Sequence, residues 1–441
     1  MKKGFRRVFA PIIGILLVAL SLTFISLAMP ASEAKAENVI LLIGDGMGFG
    51  QMTAARIYKG APLCMDEFSY TGFVSTYPDD PVEKWVTDSA AAGTAIATGV
   101  KTYNAAISVD GKKRPVKTIL EYAQEHGKAT GLVTTTRITH ATPAVFAAHN
   151  PNRDAEDEIA LDILAHNVTV LLGGGRRHFL PTNLKGKRTD GLNLIEKAKS
   201  MGYRYVETAA EMAAVSSGKL LGLFKAGHMS YEIDRPATEP SLAQMTQKAL
   251  ELLDDDPDGF FLMVEGGRID HACHAHDGAA AIRDTLAFDE AVRVAFTYAL
   301  RNRDTLVIVT ADHETGGLSV GGYGQYCFNP EVLRTAKASF EDVIGPQLNE
   351  NNFQELLARY YGITDLTPEE IAAVRLGFEK KAGAIALADV VSRRALLGWT
   401  STAHTGNDVP IMAYGPFAEF FTGRLDNTEI FEGMMAAFGF R

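Results

Sequence analysis

Short apolar runs alternate with amphipathic segments along most of the chain. Six of the runs are apolar on both faces, which is typical of strands buried in a parallel sheet. These runs span residues 39–43, 130–135, 168–172, 260–264, 305–309 and 409–413. Segments with helical periodicity separate them, including 116–126, 155–165, 241–254 and 279–301. The succession predicts an α/β fold, a three-layer sandwich with a mostly parallel central sheet and helices on both faces.

The alternation stops between about residues 321 and 400. This stretch opens with Gly321 and Gly322 and continues through polar and helical segments. Within it, Thr367 followed by Pro368 is typical of a helix start, with threonine as the cap and proline in the first turn. The strand pattern returns at Val409. We therefore expect one domain over residues 37–441, decorated by an insertion at about 321–400.

The N-terminus has the pattern of a secretory signal peptide. Basic residues precede an apolar run that extends from Val8 to about Met29, and Ala34-Lys35-Ala36 follows as a small-x-small cleavage signal. We expect residues 1–36 to be removed by cleavage after Ala36 and the protein to be exported, to the periplasm or the extracellular space. The alternative is an uncleaved membrane anchor, because the apolar run is long for a signal peptide.

Composition narrows the class of protein. The 441 residues are 46% hydrophobic and 22% charged, which are ordinary globular values that argue against a disordered chain or a multi-span membrane protein. The net charge of -10 argues against sequence-independent nucleic-acid binding. Only Cys64, Cys273 and Cys327 are present, so at most one disulfide can form and the chain is no disulfide scaffold.

Acidic residues follow three of the predicted strands at the point where each strand ends. Asp45 comes after 39–43, Glu265 after 260–264 and Asp312 after 305–309. Ligands of open α/β sheets bind beyond the carboxyl ends of the strands, so the three carboxylates are expected to gather there. Carboxylates this close repel one another unless cations compensate them. Taken singly, each is more typical of a turn or a cap.

Histidines near the same strand ends add nitrogen donors. Asp270 and His274 are four residues apart, which places them on one face of a helix. His313 directly follows Asp312, and His404 lies shortly before the strand predicted at 409–413. Mixed imidazole and carboxylate ligands suit zinc, whereas ligand sets made only of oxygen suit magnesium. A single such histidine is usually packed or solvated, so the hypothesis depends on the combination.

A candidate nucleophile is Ser89, which precedes a run of small residues typical of a tightly packed helix start. A helix N-terminus offers free N–H groups and a positive dipole end, and a cation can activate a hydroxyl placed there. The simpler interpretation is that Asp88 or Ser89 only caps the helix. Arg153 could bind two phosphate oxygens with its planar guanidinium, or could be an ordinary surface arginine.

Five separated motifs resemble those of the alkaline phosphatase family and occur in the family's order. They are IGDGMG at 43–48, TDSAAAGTA at 87–95, VEGGRIDH at 264–271 with His274, TADHE at 310–314 and HTG at 404–406. The resemblance implies an exported homodimeric enzyme that hydrolyses phosphate monoesters through a phosphoserine intermediate, with two zinc ions and one magnesium ion. It also places the 321–400 insertion where the family has a crown-like surface region.

The resemblance assigns roles to individual residues. The first zinc would be held by Asp270, His274 and His404. The second would be held by Asp45, Asp312 and His313, with the Ser89 oxygen as a further ligand. Magnesium would be held by Asp45, Thr142 and Glu265, and Arg153 would bind the substrate phosphate.

His140 and His271 lie near the implied magnesium position. Imidazole suits zinc, so the third metal stays open between magnesium and zinc. Three divalent cations and four carboxylates would leave room for a phosphate dianion, so we expect inorganic phosphate to inhibit as a product. Two alternatives remain: a phosphodiesterase or sulfatase of the same superfamily, and a non-catalytic exported binder of metal or phosphate.

Overall fold

The computed structural model describes residues 35–440. All six predicted strands are present, with ends that differ by a few residues from the prediction. In chain order the strands are β1 Asn38–Ile43, β2 Tyr70–Ser75, β3 Ala129–Arg137, β4 Val170–Gly174, β5 Tyr203–Val206, β6 Lys219–Leu223, β7 Phe260–Glu265, β8 Thr305–Thr310, β9 Glu314–Thr315, β10 Ser319–Val320, β11 Leu397–Gly398, β12 His404–Thr405, β13 Val409–Tyr414 and β14 Gly423–Asp426.

The four predicted helices are also present, and three of them begin at a side-chain cap: Thr118 for α3, Ser241 for α8 and Asp277 for α10. The helix predicted at 116–126 is shorter than expected, because Thr118 forms a capping box with Glu121 and starts the helix there. The helices are α1 Phe49–Lys59, α2 Ser89–Thr98, α3 Ile119–Glu125, α4 Ala141–Ala147, α5 Glu156–Ala165, α6 Leu194–Ser200, α7 Ala209–Ala213, α8 Leu242–Leu253, α9 Arg268–His274, α10 Gly278–Arg301, α11 Glu331–Arg334, α12 Phe353–Tyr361, α13 Pro368–Glu379, α14 Gly383–Ala395 and α15 Asn427–Phe438.

Ten strands form one central sheet, in the order β14-β2-β13-β8-β1-β7-β3-β4-β6-β5, with helices around it. Neighbouring strands are parallel except where β13 is involved, since β13 runs antiparallel to both β2 and β8. The prediction that 409–413 is a parallel strand was therefore wrong in direction. An apolar pattern on both faces reports that a strand is covered on both sides, and it carries no information about direction.

The strands of the central sheet that sequence patterning missed lie towards its two ends. β14 and β2 form one end, and β6 and β5 form the other. Three of the four mix buried and exposed positions, with Phe73 and Arg204 among the exposed ones. Such mixed segments lack the continuous apolar run by which a buried central strand is recognised.

Residues 321–400 contribute no strand to the central sheet within the described chain. They supply most of a second buried apolar cluster, which includes Phe340, Phe353 and Leu387 and is separate from the core of the sheet. The predicted helix start is confirmed, because Thr367 caps α13 through a capping box and Pro368 occupies its first turn. The boundaries of an insertion at about 321–400 stay a prediction.

The predicted signal peptide at 1–36 lies outside the described residues, apart from Lys35 and Ala36. Ala36 is buried, and its N–H donates to the Ala437 carbonyl at 2.8 Å. Across residues 35–440, none of the helices combines the length and the hydropathy that a membrane span requires.

No disulfide joins the three cysteines, all of which lie in the described part of the chain. Cys64 and Cys273 are buried, and Cys327 is exposed. The core therefore holds together by packing, as the low cysteine count indicated.

Candidate active site

The parallel register of the central strands brings the predicted acidic residues to one edge. Ile43 at the end of β1 pairs with Glu265 of β7 on one side and with Thr310 of β8 on the other. Asp45 and Asp312 each follow their strand by two residues. All three carboxylates are fully buried. The strand ladders thus fix the backbone that carries them and leave the side chains little freedom to separate.

Ser89 reaches the same place from the start of α2. Asp88 is the N-cap of this helix and accepts the Ala91 N–H at 2.9 Å, so Ser89 is the first helical residue. The Ser89 hydroxyl lies 3.2 Å from Nε2 of His313 and is almost completely buried. The capping interpretation holds for Asp88, and it leaves the Ser89 hydroxyl directed at the histidine.

The first group of donors is Asp270, His274 and His404. Asp270 and His274 share one face of α9, as predicted, with Nε2 of His274 at 3.2 Å from Oδ1 of Asp270. Nε2 of His404 lies 3.5 Å from the same oxygen and 3.1 Å from Nε2 of His274. His404 lies on β12, shortly before β13 in the chain. Because β13 runs antiparallel to β8, the amino end of β13 lies at the carboxyl edge of β8, which places His404 at the site.

The second group is Asp45, Asp312 and His313. Nε2 of His313 is 3.5 Å from Oδ1 of Asp45 and 3.3 Å from Oδ2 of Asp312. Oδ1 of Asp312 accepts the Gly46 N–H at 3.2 Å. Both carboxylate oxygens of Asp45 and Oδ2 of Asp312 are buried without a hydrogen-bond partner in the described structure. Gly46 is required here, because a Cβ at its φ of +72° would lie 2.9 Å from Cα of Asp270.

The third group combines Asp45 and Glu265 with His140. One donor atom from each lies within 4.8 Å of the other two. Thr134 and Thr136 donate their hydroxyls to Oε2 of Glu265, the latter at 3.1 Å. Oε1 of Glu265 and the hydroxyl of Thr142, which the resemblance also placed here, are buried without a partner in the described residues.

Arg153 lies beside these groups in the loop before α5. Its Nη1 donates to Oδ2 of Asp88 at 2.9 Å, and its Nη2 lies 3.1 Å from Nε2 of His140. Its backbone N–H donates to the Ala105 carbonyl at 2.9 Å. Arg153 is therefore held by residues of the site and is not a free surface arginine.

Burial and mutual repulsion oppose the ionisation of the carboxylates. Burial, together with the charge of Asp312, raises the pKa of Asp45 well above its usual value. Burial and the charge of Asp270 raise the pKa of Asp312 to about 7. Burial also raises the pKa of Glu265. The arrangement holds more negative charge than its own protein partners neutralise.

The pKa values of the histidines at the site shift in two directions. Burial and the neighbouring His404 lower the pKa of His313, and burial and Arg153 lower that of His140. For His274, burial alone would lower the pKa, but the hydrogen bond and charge of Asp270 raise it to about 9. A neutral imidazole is the form that ligates metals.

The donor set fits divalent cations. Buried carboxylate oxygens without partners, next to neutral imidazoles, are expensive to keep in a folded protein unless a cation or a proton compensates them. The first two groups mix nitrogen and oxygen donors in the way zinc prefers. The third is richer in oxygen but includes His140, so its donors do not choose between magnesium and zinc.

Several residues that orient the site were not found by sequence reasoning. The Thr315 hydroxyl donates to Oδ1 of Asp270 at 2.5 Å and lies 3.2 Å from Nδ1 of His313. Gln51 donates to Oε1 of Glu314 at 2.8 Å and also contacts the buried thiol of Cys273. Thr315 and Glu314 directly follow His313, so proximity to that motif was the only available signal.

The imidazoles of His228 and His271 pack against that of His140. Ring centroids are 5.2 Å apart for His140 and His228, and 5.6 Å apart for His140 and His271. His271 was expected near the third group, whereas His228 comes from a loop that no motif marked. Burial and the charge of Arg268 lower the pKa of His271 to about 3, so the imidazole of His271 is neutral.

The fold and the clustered donors define the class of protein: an α/β protein with a candidate metal site at the carboxyl edge of a mostly parallel sheet. Residues 36–440 match the family model described as alkaline phosphatase. The chain belongs to the alkaline phosphatase family, whose members are phosphoric monoester hydrolases. The resemblance recognised in the motifs is thereby confirmed.

Relatives and solved structures agree with this assignment. Alkaline phosphatase 4 of Bacillus subtilis is 40% identical over 418 residues, which cover 91% of this chain and 88% of the relative. The crystal structure of the Thermus thermophilus alkaline phosphatase superposes with a TM-score of 0.84 at 34% identity, covering 92% of each chain. The cold-active enzyme of Shewanella sp. gives 0.81 at 35% identity, covering 91% of this chain and 99% of that one.

Proposed function

We propose that this enzyme hydrolyses phosphate monoesters through a phosphoserine formed on Ser89, at a site that binds two zinc ions and one magnesium ion. The observation that carries the proposal is the position of the Ser89 hydroxyl, 3.2 Å from His313 in a group whose buried carboxylate oxygens lack partners. A non-catalytic binder has no use for a hydroxyl held in that place.

Each donor group has one assigned cation. Asp270, His274 and His404 would hold the first zinc. Asp45, Asp312 and His313 would hold the second, with the Ser89 oxygen as a further ligand. Asp45, Thr142 and Glu265 would hold magnesium. A mutant of the alkaline phosphatase from the Antarctic bacterium TAB5, which is 28% identical to this chain, has Mg bound in its M3 site.

When bound, the cations supply Lewis acidity that lowers the pKa of an attacking hydroxyl and stabilises the departing alcohol oxygen. The protein positions the Ser89 hydroxyl and the phosphate group. Ser89 attacks phosphorus, the phosphorus–alcohol oxygen bond breaks, and the alcohol leaves; water then cleaves the phosphoserine and regenerates the hydroxyl. Arg153, held by Asp88, binds two phosphate oxygens with its fork of N–H donors. The free N–H groups at the start of α2 favour the same anion.

The variant Ser89→Ala tests the nucleophile. We expect turnover of an aryl phosphate to fall by at least about 10³-fold, because the covalent route is lost, while zinc and magnesium content stay near those of the wild type. Ser392→Ala is the matched control, since Ser392 is also buried but lies in α14. Full turnover by Ser89→Ala would exclude Ser89 as the nucleophile.

Substrate class and metal content are measured on the same preparation. Rates on a phosphate monoester should exceed those on a diester and a sulfate ester, and inorganic phosphate should inhibit competitively. Elemental analysis should find about one magnesium ion and at least two zinc ions per chain, and chelation should abolish turnover. Replacement of the magnesium ion by zinc would assign His140 to the third metal.

Export and dimerisation complete the proposal. Cleavage after Ala36 would give a mature chain that begins at Glu37, whose N–H keeps its hydrogen bond to the Asp304 carbonyl at 2.8 Å. Amino-terminal sequencing of exported protein tests the cleavage site, and light scattering on the purified chain tests whether it is a homodimer. An N-terminus upstream of Glu37 would contradict the proposed site.

A further inference from the structure

Two imidazoles and a carboxylate also converge at a place that the proposed active site does not use. Nε2 of His149 and Nε2 of His166 each lie 3.2 Å from the same oxygen, Oε1 of Glu121. The three side chains come from three separate segments: α3, the loop after α4, and the residue that ends α5. We call Glu121, His149 and His166 the α3–α5 cluster.

Backbone carbonyls fix both rings of the α3–α5 cluster. Nδ1 of His149 lies 2.9 Å from the Ser108 carbonyl, and Nδ1 of His166 lies 2.9 Å from the Asp162 carbonyl. A carbonyl only accepts hydrogen bonds, so Nδ1 carries the proton in each ring. In a neutral ring Nε2 then carries a lone pair instead of a proton. Both of these lone pairs face the same carboxylate oxygen, Oε1 of Glu121. Neutral rings in this geometry therefore require a cation between them and the carboxylate.

The first group of the active site is built in the same way. Nδ1 of His274 contacts the Thr402 carbonyl at 2.6 Å, and Nδ1 of His404 contacts the Thr87 carbonyl at 2.8 Å. Both Nε2 atoms face Oδ1 of Asp270, at 3.2 and 3.5 Å. A hydrogen bond from Nδ1 to a backbone carbonyl is the usual way in which a metal-ligating histidine is oriented.

The distances suit a tetrahedral cation site. Zinc lies about 2.0–2.2 Å from nitrogen and oxygen ligands, so two of its ligands are about 3.3–3.5 Å apart. The two 3.2 Å separations in the α3–α5 cluster are close to this value. The three side chains are 16–22% exposed, which leaves an open side for water as a fourth ligand.

We propose that Glu121, His149 and His166 bind a divalent transition metal, zinc by their donor chemistry, at a second and structural site. His149 lies four residues before Arg153, and Asn150 between them exchanges two backbone hydrogen bonds with Ile107. A cation here joins α3 and α5 to the segment that leads to Arg153. The inference does not rest on the proposed function, because none of the three residues belongs to the active-site groups.

The competing explanation is an ion pair in which two imidazolium rings flank one carboxylate. Burial alone would lower the pKa of His149, but its hydrogen bond to Glu121 raises it, and the same partner raises the pKa of His166. The two explanations differ in their response to pH. An ion pair is lost when the histidines deprotonate, whereas metal binding requires deprotonated imidazoles.

The variant Glu121→Gln separates the two. Oε2 of Glu121 accepts the Thr118 N–H at 2.8 Å in the capping box of α3, and glutamine can make the same bond, so the helix keeps its cap while the anionic ligand is removed. The full exported chain is loaded with excess zinc at pH 8, desalted and analysed for metal. We expect about one zinc ion fewer per chain than in the wild type.

A second variant and a matched control complete the experiment. His166→Gln removes an imidazole ligand and should lose the same zinc ion. His126→Gln is the control, because His126 ends α3 with Nδ1 at 2.8 Å from the Tyr122 carbonyl, just as His166 ends α5, but His126 has no carboxylate partner among residues 35–440. The control should keep the full zinc content. Thermal unfolding adds a readout, since excess zinc should raise the midpoint of the wild type by more than that of either variant.

Loss of about one zinc ion from both variants, with His126→Gln unchanged, supports the site whatever metals the active site holds. Equal zinc content in the wild type and in whichever of the two variants folds would overturn it and assign the α3–α5 cluster to the ion pair. Loss of turnover without loss of zinc would count against the metal site in the same way.

Discussion

The Thr315 hydroxyl links two proposed zinc ligands, and its removal should weaken zinc binding without disturbing the fold. Oγ1 donates to Oδ1 of Asp270 at 2.5 Å, so it accepts from Nδ1–H of His313 at 3.2 Å. The second contact fixes His313 in the tautomer whose Nε2 faces Ser89 and Asp45. Thr315 is fully buried, so water cannot replace the hydroxyl in the variant Thr315→Val.

The size of the effect follows from these contacts. Valine has nearly the shape of threonine, so packing is preserved and the loss is confined to hydrogen bonds. A hydrogen bond to a charged group contributes about 1.5–3 kcal/mol, which corresponds to about 10- to 150-fold in a binding constant. Residues that orient metal ligands typically change affinity by about 10- to 100-fold when they are replaced. We expect the zinc dissociation constant to rise by about 10- to 100-fold.

The assay is competition with a chromophoric chelator of known zinc affinity, using full-length exported protein. Thr246→Val is the control, because Thr246 is equally buried but donates only to the Leu242 carbonyl within α8, at 2.8 Å. The control should bind zinc like the wild type. If Thr315→Val and the control release zinc at the same chelator concentration, the Thr315 hydroxyl does not orient the ligands and the reasoning fails.

Two further predictions concern protons and thiols. Burial and the charge of Asp270 raise the pKa of Asp312 to about 7, and the hydrogen bond to Asp270 raises that of His274 to about 9, so both groups hold protons at pH 6. Zinc binding should release a proton from each of these two groups at pH 6 and almost none from either at pH 10, as measured in weakly buffered titrations. Iodoacetamide at pH 8 should modify Cys327 quickly, but Cys64 and Cys273 only after unfolding, because burial raises the pKa of both buried thiols, that of Cys64 to about 11.

The outcomes that would contradict these expectations are specific. Equal proton release at pH 6 and pH 10 would mean that the metal does not displace protons from Asp312 and His274. Rapid modification of more than one thiol per folded chain, read from intact mass, would mean that Cys64 or Cys273 is accessible.

Much of the active site could be predicted from the sequence because it sits where strands end. Asp45, Glu265 and Asp312 follow continuous apolar runs, and in a parallel sheet such positions share one edge. The pair formed by Asp270 and His274 needed only the helical repeat. In these cases a local pattern and one general rule about sheets fixed the location.

Other features depend on packing that no local pattern reports. His404 could be placed near the site by its motif, but its route there depends on the reversed direction of β13, which the apolar pattern did not reveal. Thr134, Thr136 and Thr315 are ordinary strand residues by sequence, and only the tertiary fold shows which carboxylate each hydroxyl meets. The α3–α5 cluster was missed for the same reason, since its residues come from three segments that the tertiary fold brings together.

The position of the carboxylates ties the proposed catalysis to stability. Asp45, Glu265 and Asp312 stand at the ends of strands that are paired on both sides, so they cannot move apart when they lose their protons. Without cations, each must either stay protonated or be buried as an uncompensated charge, and both are costly at alkaline pH. A cation cluster removes this cost and supplies the electrostatic environment in which Ser89 can react. The metals proposed for catalysis are therefore also expected to stabilise the carboxyl edge of the sheet, increasingly so as the pH rises.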